Sequence, residues 1–166
     1  MAYKDPILSA YEKLIRNRCK AIKTFYQGEP VGAPTTNLPF CSIAKIATRV
    51  GPVDNAEDGH ELHLRISVVT DLRKDLSTQE SRDAVAAGVS TLYDILEGRN
   101  PDGTLKDTCI LDILRSNLLV PVDFQLRTDL GSITEVNYGF TLKDRNAETW
   151  LVEGNIDFVA NFIQVR

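Results

Sequence analysis

The sequence is poor in the residues that most often carry catalysis or hold metal ions. It has only two histidines, His60 and His63, and three cysteines that lie far apart, Cys19, Cys41 and Cys109. An odd number of widely spaced cysteines does not form a disulfide framework, so we expect reduced core thiols in a cytosolic setting. The histidines stand three residues apart before a predicted strand, whereas a zincin helix needs them four apart. We therefore expect surface histidines and no zinc site.

Long apolar runs and an excess of positive charge are also missing. No apolar run approaches the length of a membrane span, and the first residues lack the apolar stretch of a signal peptide. The 19 Lys and Arg against 23 Asp and Glu give a net charge of −4, which is atypical of a dedicated nucleic-acid-binding protein. The length of 166 residues and the 43% hydrophobic content predict one globular domain spanning residues 1–166.

The motifs of common enzyme classes are absent as well. There is no Gly-x-Ser-x-Gly, no phosphate-binding Gly-x-x-x-x-Gly-Lys and no Gly-x-Gly-x-x-Gly, so neither a nucleophile elbow nor a nucleotide cofactor is indicated. A Cys–His pair would need Cys19 or Cys41 beside the histidine segment. We expect no enzymatic activity and no cofactor.

An acidic segment at residues 54–59 resembles the opening of an EF-hand loop. Its third position is Ala56 and its twelfth would be Arg65, where a calcium loop needs oxygen ligands. We interpret the segment as a solvated hairpin tip, with a weak cation site or an acidic contact for a partner as alternatives. Carboxylates elsewhere fall on the solvated phase of predicted strands, which favours a wet sheet face or a subunit contact over a catalytic pair.

Helical periodicity predicts a long first helix from about Pro6 to Tyr26. Asp5 is a good N-cap, and proline suits the first turn. A second helix is predicted to begin at a capping box at residues 77–80 and to end at Glu97, with Gly98 as its C-cap. A short third helix is predicted over Thr108–Arg115, with a strand over Cys109–Leu111 as the alternative.

Alternating apolar and polar residues predict the strands. Phe40–Val50 and the run from Leu62 to Val69 form a predicted hairpin around the polar loop Gly51–Gly59. Val120–Leu126 alternates next, with Pro121 at a strand start or a sheet edge. A turn at 129–132, a run from Val136 to Leu142, a polar turn at 143–148 and a final strand of about 14 residues follow.

The predicted order, α-β-β-α-(α)-β-β-β, defines the fold class. Hairpin-linked strands and helices with one apolar face each give an α+β protein, mainly antiparallel, with the sheet packed against the long N-terminal helix and the central helix. We expect a two-layer sandwich.

The charge is unevenly distributed. Residues 1–25 carry six positive and two negative side chains, a net +4, so the remainder carries −8. A basic stripe on the first helix and an acidic body suit head-to-tail self-association, which closes into a ring, although a solvated helix face is the simpler alternative. Arg18 falls within the predicted apolar arc, where it either snorkels to water or pairs with a carboxylate. The residues that we assign to a subunit or partner interface are Lys13, Arg16, Arg18, Lys20, Lys23, Asp54, Glu57 and Asp58.

The succession of segments resembles a known family. An amphipathic first helix and a Pro-rich linker precede the strands FCSIAKIATRVG and ELHLRISVVTDL, the helix RDAVAAGVSTLYDILEG and the late strand ETWLVEGNIDFVANF. This pattern resembles the tail terminator, or tail completion, proteins of long-tailed bacteriophages, including head-to-tail joining proteins. The resemblance covers residues 5–163 and rests on architecture, because the family has no diagnostic catalytic or ligand motif.

The resemblance implies a structural virion protein made in the host cytoplasm. It implies a hexameric ring in the neck of the tail, which caps the tail-tube protein, stops polymerisation and presents a surface to the head connector. Glu153 and Asp157 would then line a lumen and repel DNA phosphates as the genome passes without sequence-specific binding. Alternatives are another neck or tail-tube protein, or a small ligand-binding domain or enzyme.

Overall fold

The computed structural model describes residues 4–30, 35–71, 81–141 and 151–166. Within these ranges it contains three α-helices and seven β-strands, so the predicted α+β class is confirmed. No helix in them is both long and apolar enough to cross a membrane. In chain order the elements are α1 (Pro6–Arg18), β1 (Thr24–Gln27), β2 (Phe40–Pro52), β3 (Glu57–Asp71), α2 (Ser81–Glu97), α3 (Ile110–Ser116), β4 (Leu119–Pro121), β5 (Gln125–Thr128), β6 (Asn137–Thr141) and β7 (Leu151–Val165).

The strands form one mixed sheet in the order β1-β2-β3-β7-β5-β4, and β6 also pairs with β7. β1 is parallel to β2, whereas the other pairs are antiparallel. β3 and β7 pair along 15 residues, from Asp71 opposite Leu151 to Glu57 opposite Val165. The prediction of an unusually long final strand is therefore confirmed, and the two longest strands form the centre of the sheet.

The predicted β2–β3 hairpin is confirmed, but its strands continue through the segment predicted as a loop. The pairing reaches Pro52 opposite Asp58, which leaves only residues 53–56 for the turn. The Asp54 carboxylate closes that turn by accepting hydrogen bonds from the backbone N–H of Ala56 at 2.7 Å and of Glu57 at 2.9 Å. The prediction of a Gly51–Gly59 loop was too long, because ladder pairing overrides the polar composition there.

Helix α1 begins where predicted and ends eight residues early. The Asp5 carboxylate accepts from the N–H of Ile7 and Leu8, which caps the helix with Pro6 in its first turn. Cys19 is already extended, and β1, which lies within the predicted helix, pairs in parallel with β2. The prediction of a helix to Tyr26 was wrong, because the last predicted turns are an edge strand of the sheet.

One hydrophobic core unites the three helices with the sheet. Alternate residues of β3 enter it as predicted, at Leu62, Leu64, Ile66 and Val68, and so do Val152, Ile156, Phe158 and Ala160 of β7. We call this side of the sheet the inner face. The residues between them define the outer face, which carries a second, small cluster of Leu38, Phe40 and Val69 with Tyr26 and Leu151 packed against it.

The remaining predictions have mixed outcomes. α2 ends at Glu97 and α3 is present, as predicted. The alternation over Val120–Leu126 is not one strand: β4 and β5 form a tight hairpin, with Pro121 on the edge strand β4. The turn at 129–132 is confirmed as a 3-10 turn. The predicted capping box at 77–80 and the polar turn at 143–148 lie outside the described residues.

Candidate functional site

The residue types typical of catalysis are scattered or buried in the part of the chain that the structure describes. The three cysteines are free and buried, as predicted, and burial raises the pKa of Cys41 far above that of a free thiol. The His63 ring lies 2.8 Å from a Glu61 carboxylate oxygen, and the His60 ring stacks on Phe162 with centroids 4.4 Å apart. Across the described ranges no three His, Cys, Asp or Glu side chains are grouped so as to hold a metal ion.

The most unusual surface is a ribbon of three strands that extends past the core. It consists of residues 46–52 of β2, 57–63 of β3 and 159–165 of β7, and we call it the ribbon. Helix α1 packs near its base, where Lys45 pairs with the N-cap residue Asp5. The side chains of β2 are exposed from Lys45 to Val50, and those of β7 from Ile163 to the end of the strand. Beyond Leu62 and Ala160 at its base, which are buried in the core, the ribbon therefore consists of paired backbone with little of the core burial that stabilises the rest of the sheet.

Apolar side chains are exposed along this ribbon. Val50 is 58% exposed, Ile163 is 55% exposed and Val165 is 70% exposed. On the neighbouring β4–β5 hairpin Leu119 is 69% exposed. Isolated exposed aliphatic residues are common, but a group of them beside a concave surface is typical of an interaction site.

A groove of about 850 Å³ lies between the ribbon and the β4–β5 hairpin, and these apolar side chains line it. Gly51 and Gly59 pair across β2 and β3, and Gly59 also lies opposite Ile163. A Cβ at Gly51 would meet nothing within 4 Å, whereas one at Gly59 would lie 3.0 Å from Cγ2 of Val53. At this row the outer face therefore presents the exposed side chains of Val53 and Ile163. Arg49, Glu61 and Arg127 supply polar groups to its walls.

Both outside edges of the ribbon lack a strand partner among the described residues. β1 pairs with β2 only as far as Ile43, which also accepts a hydrogen bond from the N–H of Gly28. On the other side β5 pairs with β7 only at Ala160 and Asn161, while β6 covers residues 151–155. Residues 44–52 of β2 and 162–165 of β7 therefore each present one unpaired backbone edge.

Several charges on the ribbon and the outer face are neutralised within the chain. Arg166 lies 2.5 Å from Asp58, and this hydrogen bond lowers the pKa of Asp58. Arg49 lies 3.4 Å from Glu61. Because these ion pairs are internal, they lower the cost of bringing Arg49, Glu61 and Asp58 against an apolar surface.

The residues of the predicted acidic lumen lie together on the outer face of β7. Asp157 accepts two hydrogen bonds from Arg65, at 2.7 and 2.9 Å, and this contact raises the pKa of Arg65, with a further contribution from Glu153. The charge of Asp157 is thus compensated by Arg65, its cross-strand partner on β3. Glu153 is left as the stronger source of negative potential on this part of β7.

The predicted basic stripe is not a single helical face. Lys13 and Arg16 lie on α1, but Lys20 and Lys23 follow its end, so the prediction of one stripe on one helix was wrong. All four are exposed. Lys20 bends back and donates to the carbonyl oxygen of Arg16 at 2.9 Å, which adds positive charge to the C-terminal end of the helix.

Arg16 and Arg18 have different surroundings. Arg16 pairs with Glu12 at 2.7 Å, and its guanidinium lies 4.4 Å from the centroid of the Phe25 ring. Arg18 is the last residue of α1 and is exposed, and no ion pair joins it to another described residue. It does not occupy the apolar arc in which the longer predicted helix placed it, because the buried helical face ends at Ile15.

The predicted acidic contact residues lie at the tip of the ribbon. Asp54 is exposed in the turn, and Glu57 and Asp58 are half-buried at the start of β3. Among the described ranges no ion pair joins them to the basic residues at the end of α1. The exposed apolar residues between these two charged regions were not predicted as a site, since periodicity gives no measure of how far a strand continues past the core.

Comparison with known proteins adds no functional information. No protein-family model matches the chain, and no curated protein matches it. One solved structure, whose name states no activity, ligand or partner, matches at 14% identity and a TM-score of 0.37, covering 100% of this chain and 97% of the other. A similarity at that level supports no inference about function or fold.

Proposed function

We propose that this protein is a non-enzymatic, ring-forming component of a long-tailed bacteriophage virion. It would cap the head-proximal end of the tail tube, stop its polymerisation and join the tail to the head connector. The observation that carries the proposal is the ribbon, with two edges that pair with no other described strand and exposed apolar side chains beside a groove. These are features of a subunit that completes its sheet and buries its surface only in an assembly.

The arrangement of the helices is part of this proposal. α1, α2 and α3 contribute side chains to the inner-face core, and the outer face carries the Arg65–Asp157 pair and Glu153. We infer a two-layer sandwich whose outer face is directed toward a lumen or a neighbouring ring component. The charge distribution favours a head-to-tail contact, because the basic end of α1 and the acidic tip of the ribbon are separate surfaces on one subunit.

Native mass measurement with electron microscopy of the purified protein tests the proposal, with and without tail tubes of its phage. The expected result is one closed ring at one end of each tube, with no lengthening of the tubes. Long tubes formed by the protein alone would identify a tube protein instead. A monomer that binds neither itself nor the tubes would refute the proposal.

Charge reversal on β7 tests the proposed lumen separately. Glu153→Lys should leave the ring intact but slow or block DNA passage, measured as the fraction of assembled particles that deliver their genome. Asp157→Lys would also break the pair with Arg65, so Asp157→Asn is the better second variant. If both Glu153→Lys and Asp157→Asn left genome delivery unchanged, an acidic lumen would be the wrong interpretation of these residues.

A further inference from the structure

The two unpaired edges of the ribbon have complementary positions in one sheet. β2 lies on one side of β3 and β7 lies on the other, and both are antiparallel to β3. β2 and β7 therefore run in the same direction. If copies of the chain are related by rotation about an axis along these strands, the β7 edge of one copy faces the β2 edge of the next, and the pair between them is parallel.

We propose that residues 162–165 of β7 pair with the unpaired edge of β2, within residues 44–52, in a second copy of this chain. The sheet then continues from one subunit to the next, and the groove beside β4 and β5 receives the incoming strand. This inference deepens the proposed function, because it names the surfaces through which the ring closes.

The lengths of the two edges permit such a pair. The β7 edge offers four residues, as many as join β1 to β2 within the subunit. The unpaired β2 edge, residues 44–52, is longer than the β7 edge, so all four β7 residues can pair within it. Backbone hydrogen bonds of this kind give affinity, and side chains in adjacent pockets give specificity.

The side chains on both edges favour burial. The β2 segment from Ala47 to Pro52 contains one charged residue, Arg49, which already pairs with Glu61 in its own subunit. On the receiving side the exposed Ile163 and Val165 lie beside Leu119 in the groove. A second copy therefore brings the largely apolar β2 edge against Ile163, Val165 and Leu119, and the one charge of that segment, Arg49, is already paired. The groove wall itself carries the charged side chains of Glu57 and Arg127.

Cysteine cross-linking tests the junction directly, because the three native cysteines are buried. Gly51→Cys and Ile163→Cys place one reactive thiol on each edge and on the same outer face, because both residues lie opposite Gly59 in the sheet. A Cβ at Gly51 meets nothing within 4 Å, and Ile163 is 55% exposed. With a short bismaleimide the double variant should give a ladder of covalent oligomers, and a mixture of the two single variants should give dimers only. The control double variant, Gly51→Cys with Tyr93→Cys on α2, should give no ladder.

A lysine on the receiving edge tests the same contact without a cross-linker. Ile163→Lys should shift the native mass to that of a monomer. Val53→Lys, which is equally exposed at 56% but lies in the ribbon turn, should leave the mass unchanged. The far-ultraviolet circular dichroism of both variants should match that of the parent protein, since neither side chain contributes to the core.

The outcomes separate this inference from the proposed function. The absence of a ladder at the highest soluble protein concentration would overturn the β7-to-β2 junction. Dimers from Gly51→Cys alone would also overturn it, because they would show that two β2 edges meet. Rings on tail tubes without a ladder would leave the proposed function in place with a different junction. A ladder without tube binding would support the junction and refute the tail function.

Discussion

A buried hydrogen bond between two side chains joins helix α1 to strand β5. Its removal should measurably lower the free energy of unfolding. The hydroxyl of Tyr11 on α1 lies 2.6 Å from Oγ1 of Thr128 on β5. Tyr11 is 0% exposed and Thr128 is 1% exposed. The Tyr11 ring also packs edge-on against Phe158, with centroids 5.0 Å apart. Tyr11→Phe keeps that aromatic contact and removes only the hydroxyl.

The expected loss of stability follows from the buried hydroxyl that loses its hydrogen-bond partner. Tyr11→Phe leaves the Thr128 hydroxyl buried without this partner, which should lower the free energy of unfolding by about 1 to 3 kcal/mol. For a chain of this size that corresponds to a fall in Tm of roughly 2 to 10 °C. Thr128→Val should lower the free energy of unfolding by a similar amount, because it leaves the buried hydroxyl of Tyr11 without this partner. The double variant should cost less than the sum, because neither polar group then remains unpaired.

Urea unfolding followed by circular dichroism measures all four corners of this cycle. We expect a coupling energy of about 1 to 2 kcal/mol between the two substitutions, with an unchanged slope against urea concentration. Tyr26→Phe is a matched control, because its hydroxyl accepts from Asn37 at a half-buried site and should be worth less. Additive effects, with a coupling below about 0.3 kcal/mol, would refute the reasoning that these two groups satisfy each other.

Three further predictions concern the core. Burial raises the pKa of Tyr11 to about 12, so the neutral phenol is favoured in the folded state. The stability this contributes is complete below about pH 10 and should fall by about 2 to 3 kcal/mol as the pH rises from 10 to 12. Because Tyr138 and the buried Cys41 also have raised pKa values, Tyr11→Phe should still lose stability over this range in urea titrations, but less than the parent protein by about that amount. Gly154→Ala should cost about 1 to 3 kcal/mol in the same assay, because its Cβ would lie 2.2 Å from Cδ1 of the buried Leu96, whereas Gly139→Ala on neighbouring β6 meets nothing within 4 Å and should be close to neutral. The Cys41 thiol, buried and with a raised pKa, should react with a thiol reagent at neutral pH only at the rate of unfolding, and rapid labelling of the native protein would contradict this.

Much of the secondary structure could be predicted, and the errors share one cause. The start of α1 at Asp5 and Pro6 and the end of α2 at Glu97 depend on local capping rules, and both predictions were right. The end of α1 was wrong, because helical spacing continued through Phe25 while pairing with a distant strand took those residues into the sheet. Helical spacing is read from a short segment of sequence, and such a segment does not include the residues of another strand with which it could pair.

The candidate site was predicted less well than the fold. Charge counting found the basic and acidic residues at the end of α1 and at the tip of the ribbon, but it did not find that Arg65 and Asp157 form an ion pair. The apolar groove was not predicted at all, because its walls come from strands far apart in the sequence. Val50 in particular is in phase with buried residues of β2, yet it lies beyond the end of the core.

By itself the sequence determined the α+β class, the inward-facing residues of β3 and β7 and the absence of common catalytic motifs, because periodicity and residue type are local properties. The tertiary structure alone decided where α1 gives way to a strand, that Val120–Leu126 folds into a hairpin, and how far the ribbon extends past the core. Those features depend on which distant strands pair and on where the helices stop covering the sheet. The same long-range pairing leaves the two ribbon edges open, and it is on these edges that the proposed assembly depends.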